Sequence, residues 1–151
     1  MLSNETAFPW LTLLIAVAVI AAAVLWLVKP LHKAARPYGL AVSVLIFAGF
    51  VVAAMSGFDV AAAGEVQLRE TYSWIPAIGT SIAWGVNGMG LVMIGLATFL
   101  VPLVLLAAWS ELDDETDERS AGYVAWILFL EAVMIGIFAA QDVFLFYILF
   151  E

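Results

Sequence analysis

The chain has 151 residues, 66% of them hydrophobic, with a mean hydropathy of +1.10 and a formal net charge of −8. So apolar a composition excludes an ordinary soluble domain. The lack of cysteine excludes disulfides, thiolate metal sites and iron–sulfur ligation by these residues, and one histidine, His32, leaves little to hold haem or a metal.

The leader MLSNETAFP carries no Lys or Arg, and basic residues follow the first apolar run rather than precede it. That order argues for a retained membrane helix over a cleaved signal peptide. The first span is expected at 10–28, with Trp10 and Trp26 near its ends, where amphipathic rings favour the interface. It stops at Lys29-Pro30, and the loop KPLHKAARP holds three of the five basic residues, Lys29, Lys33 and Arg36. The second span is expected at 38–55.

A long mixed connection, 56–88, follows. The alternation of Val66 and Leu68 with Gln67 and Arg69 suggests a short strand or hairpin there. The third span, 89–109, contains Pro102, which membrane helices tolerate when a neighbour satisfies the freed carbonyl. The acidic stretch ELDDETDERS, 111–120, reads as a solvated connector or as a docking surface for a basic partner. The fourth span is expected at 123–140 and a fifth starts at Val143, incomplete at 151. Small residues at Ala132, Gly136 and Ala140 fit the fourth span for close helix packing. The expected fold is an all-α, polytopic transmembrane bundle of about four complete helices plus the first half of a fifth. The Lys/Arg bias puts the loop at 29–36 inside and the N-terminus outside.

Two spans place an acid deep in the hydrocarbon. Glu151 lies roughly 12–14 Å along the fifth helix and Glu131 near the middle of the fourth. An ionisable group there costs at least ~2.5–3.5 kcal/mol on insertion scales, so it usually faces a protein interior or a watery path. No basic residue falls inside a span to pair with either. For Glu131, the alternatives are a neutral carboxyl bonded to a neighbouring helix and a place on a proton path. For Glu151, a path role is favoured, with Tyr147 one turn away on the same face. Asp142, at the turn between spans, reads as a cap of the fifth helix or as a proton-access group. A helix that stops halfway across the bilayer suggests the front part of a longer protein.

The string WIPAIGTSIAWGVNGMGL, 74–91, and the string GIFAAQDVFLFYILFE, 136–151, resemble segments of subunit M of NADH-quinone oxidoreductase, respiratory complex I. Asn87 and Gly90 depart from the Asp and Ser usual in that family's first segment. The resemblance implies an antiporter-like membrane-arm subunit of a translocating oxidoreductase in the cell inner (plasma) membrane. It gives Glu151 a role in proton translocation, working with a lysine on a later helix, and leaves Glu131 as a second candidate on the path. NADH, FMN, iron–sulfur clusters and quinone are implied for other subunits and no cofactor for this chain. The implied partners are other membrane-arm subunits, the lipid bilayer and protons, with no nucleic acid. The rival readings are a subunit of a multi-subunit Na⁺/H⁺ antiporter and a small structural membrane protein.

Overall fold

The computed structural model describes residues 8–151; residues 1–7, which carry most of the leader behind the signal-peptide reading, lie outside them. The described residues fold as helices α1 Trp10–Leu27, α2 Ala35–Gly57, α3 Gly88–Ala107, α4 Trp109–Asp113, α5 Asp117–Ala139 and α6 Val143–Phe150. A two-stranded antiparallel hairpin, β1 Gln67–Ile75 and β2 Thr80–Val86, lies between α2 and α3. By length and composition α1, α2, α3 and α5 can each cross a membrane, so the chain is an all-α, multi-pass membrane bundle to which the hairpin is an attachment.

Two helices outrun their apolar spans at the charged end. Helix α5 starts at Asp117, six residues before Tyr123, because the Thr116 hydroxyl accepts from the Arg119 N–H and two acids fill the first turn. That is favourable chemistry for a helix N-terminus. Helix α2 likewise starts at Ala35, where Pro37 falls in the first turn and its missing N–H costs nothing.

Alanines make the close packing possible. Ala18, Ala21 and Ala22 of α1 are buried, as are Ala121, Ala125, Ala132 and Ala139 of α5, and small interface residues let helix backbones approach in lipid. The buried apolar side chains form two clusters. One joins Leu11, Leu14 and Ala18 to Ile46, Ile94, Ala132 and Ile135, together with Leu68 and Trp84 of the hairpin. The other joins Ala21, Ala22 and Leu25 to Val101, Leu105, Val124 and Leu128.

The hairpin closes one end of the bundle. It is longer than the alternation at 66–69 suggests and takes in most of WIPAIGTSIAWGVNG. Its β2 edge is stitched to the α5–α6 turn: Gln141 N–H donates to Ala83 O at 2.9 Å, and Gln141 Nε2 donates to Gly85 O at 2.9 Å. The opposite end holds the basic and acidic loops. There Arg36 pairs with Asp113 at 2.5 Å, donates to Trp109 O at 3.2 Å and lies 5.2 Å from the Trp109 ring centroid. The acidic loop is therefore tied in part to its own chain, while Asp114, Glu115, Asp117 and Glu118 stay exposed.

Candidate functional site

Helix α6 begins at a strong cap. The Asp142 carboxylate accepts from the N–H groups of Phe144 at 2.8 Å and Leu145 at 3.2 Å, as its place at the turn suggested. Ser81 of β2 donates to the same side chain at 3.4 Å, so the hairpin and the helix start share one anion. From that anchored end α6 carries eight apolar or aromatic residues to Glu151, whose N–H closes the last turn on Tyr147 O at 3.0 Å. Glu151 is exposed at the rim of a groove of about 780 Å³. The groove runs between α6 and the outer face of α5, along Trp126, Leu130, Met134 and Phe150.

Glu131 faces the other way. It lies on the inward face of α5 with Val124, Leu128 and Ile135, and it has no exposed surface. Both carboxyl oxygens are buried with no hydrogen-bond partner among the described residues. The structure therefore separates the two acids: Glu151 borders the outer groove and Glu131 is enclosed by helices. Among the described residues no group of three or more His, Cys, Asp or Glu side chains gathers as a metal site.

A third acid went unread in the sequence. Glu70 of β1 is 5% exposed, and its carboxylate accepts from Leu11 N–H at 2.7 Å, Thr12 N–H at 3.0 Å and the Thr12 hydroxyl. These are first-turn donors of α1, whose N-cap residue, Pro9, supplies no side-chain bond. The acid fills that role from 58–59 residues away. An acid on a hydrophobic alternation in a connection gives no local sign of such a partner. Asn87, where an Asp is usual in the resembling family, still caps α3 by accepting from Gly90 N–H at 2.9 Å. The substitution keeps the turn and removes the charge.

No family model matches the chain. Curated relatives do. It is 36% identical over 144 residues, 95% of its length, to NAD(P)H-quinone oxidoreductase chain 4 1 of Picosynechococcus sp.. It is 33% identical over 147 residues to NAD(P)H-quinone oxidoreductase chain 4 of Gloeobacter violaceus, and 33% identical over 169 aligned positions to NADH-quinone oxidoreductase subunit M of Mycobacterium tuberculosis. The resemblance read from 74–91 and 136–151 thus extends through nearly all of the chain. The chain spans only 26%, 26% and 30% of these three relatives.

Proposed function

We propose that these residues are part of a proton-translocating membrane-arm subunit of an NAD(P)H:quinone oxidoreductase, and that Glu151 carries protons in it. The enzyme's redox groups (NADH, FMN, iron–sulfur clusters and quinone) would then reside in other subunits, and this chain would work beside further membrane-arm subunits in the cell inner (plasma) membrane. Similarity to subunit M and chain 4 along almost every residue supports the assignment to such a complex.

The placement of Glu151 carries the proton reading. Asp142 and the hairpin fix the start of α6, so eight residues of helix set the depth of Glu151 at roughly 12 Å from that end. An acid at that depth, bordering the groove between α5 and α6, lies on the opposite side of α5 from the enclosed Glu131. None of the five basic residues lies in the middle of a spanning helix: Lys29 and Lys33 are in the turn between α1 and α2, Arg36 and Arg119 in the first turns of α2 and α5, and Arg69 on β1. The cation that modulates Glu151 is therefore assigned to a lysine outside these residues. An opposite charge nearby favours the ionised acid and its withdrawal favours the protonated one, so redox energy that moves the cation moves a proton.

The test is NADH-driven proton uptake by inverted membrane vesicles carrying the full-length protein with Glu151→Gln. Uptake should be lost or strongly reduced while the complex still assembles. Normal uptake in that variant would refute the role of Glu151. Sodium export lost with quinone reduction untouched would instead select an ion exchanger.

A further inference from the structure

Three of the spanning helices each carry a single polar residue in the apolar middle: Ser43 in α2, Thr98 in α3 and Glu131 in α5. All three have no exposed surface. The gap between the two apolar clusters is where they fall. Along α3 the clusters supply Ile94 on one side and Val101 on the other, with Thr98 between. Along α5 they supply Ala132 and Leu128, with Glu131 between, and along α2 they supply Ile46 and Ala35, with Ser43 between. Helix α1 passes the same level with Ala18, Ala21 and Ala22, leaving room for neighbours.

A contact between helices fixes the relative heights. At Gly39 of α2, a Cβ would lie 2.2 Å from Val124 Cγ1 and 3.6 Å from Leu105 Cδ1, so α2, α3 and α5 meet there. Glu131 is seven residues after Val124 and Thr98 seven before Leu105, on helices that run in opposite directions. Both lie two turns, roughly 10 Å, toward the hairpin and on the face that makes the Gly39 contact. Ser43 is four residues beyond Gly39 in the same direction, roughly 6 Å.

The layer is equipped for both states of an acid. Thr98 Oγ1 donates to Ile94 O at 2.9 Å and Ser43 Oγ donates to Leu40 O at 2.9 Å, which leaves the lone pairs of both hydroxyls free to accept. Pro102 lies four residues after Thr98 and has no N–H for the Thr98 carbonyl, so a backbone acceptor is released at the same level. Neither carboxyl oxygen of Glu131 bonds any of them as it stands, so a neutral Glu131 would donate its O–H to one of these oxygens only after a change of side-chain rotamer. An anionic Glu131 can accept from either hydroxyl once it turns from its own helix.

We propose that Glu131, with Thr98 and Ser43, is a second proton-binding site in this chain, enclosed among α1, α2, α3 and α5 and separate from the Glu151 groove. It holds one proton on a carboxyl oxygen and gives it up reversibly. The site does not depend on Glu151 being on the transport path. Its surroundings make it addressable: α1, α3 and β2 carry no titratable side chain, and α2 carries Arg36 and Tyr38 only, in its first turn. Arg36 is held by Asp113, and Tyr38 donates to Ala21 O at 2.9 Å. The turn at 29–34 that also packs on α5 brings Lys29, His32 and Lys33 at the far end, with His32 Nε2 3.0 Å from Leu25 O. Helix α6 brings only Tyr147, ahead of Glu151, on the outer side.

Infrared difference spectra of the full-length protein in its native membrane, taken between acidic and alkaline buffer, test this. A carboxylic C=O band should appear on acidification, persist in Glu151→Gln and vanish in Glu131→Gln. Thr98→Val and Pro102→Ala, which remove one acceptor each and keep the helix, should shift the band, and Thr98→Ser should restore its position. A band unchanged by Glu131→Gln, or unmoved by both Thr98→Val and Pro102→Ala, would overturn the proposal. A difference spectrum without any such band in the wild type would also overturn it, since a fixed structural acid gives none.

Discussion

At the scale of single residues, polar side chains in this protein do different work according to where the chain delivers them. Glu151 and Glu131 are legible from the sequence because each interrupts an apolar run. Ser43 and Thr98 are marked by the same signal and are easily passed over, because a lone hydroxyl in a membrane helix can bond its own backbone, as both do. Glu70 is illegible for a different reason: its partners are donors of α1, brought near only after the hairpin folds back. Its neighbour Leu68 shows what that docking demands. One extra residue on β1 between the pairs Gln67–Val86 and Glu70–Trp84 is taken up with Leu68 at φ +53°, a conformation disfavoured for a branched side chain. Leu68 is nonetheless 2% exposed and packs so closely on Gly57 that a Cβ there would lie 2.6 Å from Leu68 Cδ2. Because charge-assisted bonds to buried donors contribute about 1.5–3 kcal/mol, Glu70→Ala should destabilise the full-length protein by that order. Glu70→Gln, which keeps one acceptor, should lose less. Thermal unfolding in detergent checks both, and equal melting of wild type and Glu70→Ala would show that the bonds to α1 contribute nothing.

At the scale of elements, hydropathy located the spanning helices but not their ends. Apolar windows report what oil requires, whereas the ends of α2 and α5 are set by proline and capping chemistry that continues the helix past the oil. Hydropathy also says nothing about which helices touch. The contact of α2 with α5 rests on Gly39, an unremarkable letter in a helix whose other glycines lie elsewhere along it. A methyl group there meets a fully buried valine of α5. Gly39→Ala should therefore cost about 1–3 kcal/mol through overpacking, offset by up to ~1 kcal/mol of helix propensity. Val124→Ala in the same chain should recover much of the difference, because it removes the methyl in the way. A double-mutant cycle read by thermal unfolding measures this coupling. Strictly additive effects would mean that the two helices relax apart instead.

For the whole molecule, the bundle has two chemically different ends. The hairpin, the start of α1 and the α5–α6 turn form one, tied by Glu70, Gln141 and Asp142. Lys29, Lys33, Arg36 and Arg119 share the other with the acidic loop, and only Arg69 lies at the hairpin end. Orientation rules weigh Lys and Arg and largely disregard acids, so the six acids in the stretch 111–118 should not reverse the bias of four against one. The hairpin should face outward and both charged loops inward. These 151 residues hold no cysteine, so once any cysteine elsewhere in the full-length protein is replaced by serine, the expectation is measured with one cysteine at a time. Ser73 is exposed on β1 and Glu118 is exposed at the start of α5, so neither substitution disturbs packing. In intact cells making the full-length protein, a membrane-impermeant maleimide should label Ser73→Cys at once and Glu118→Cys only after permeabilisation. Should Glu118→Cys react first, the bundle is inverted, α6 enters the membrane from the inside, and the side from which Glu151 and the enclosed polar layer take their protons changes with it.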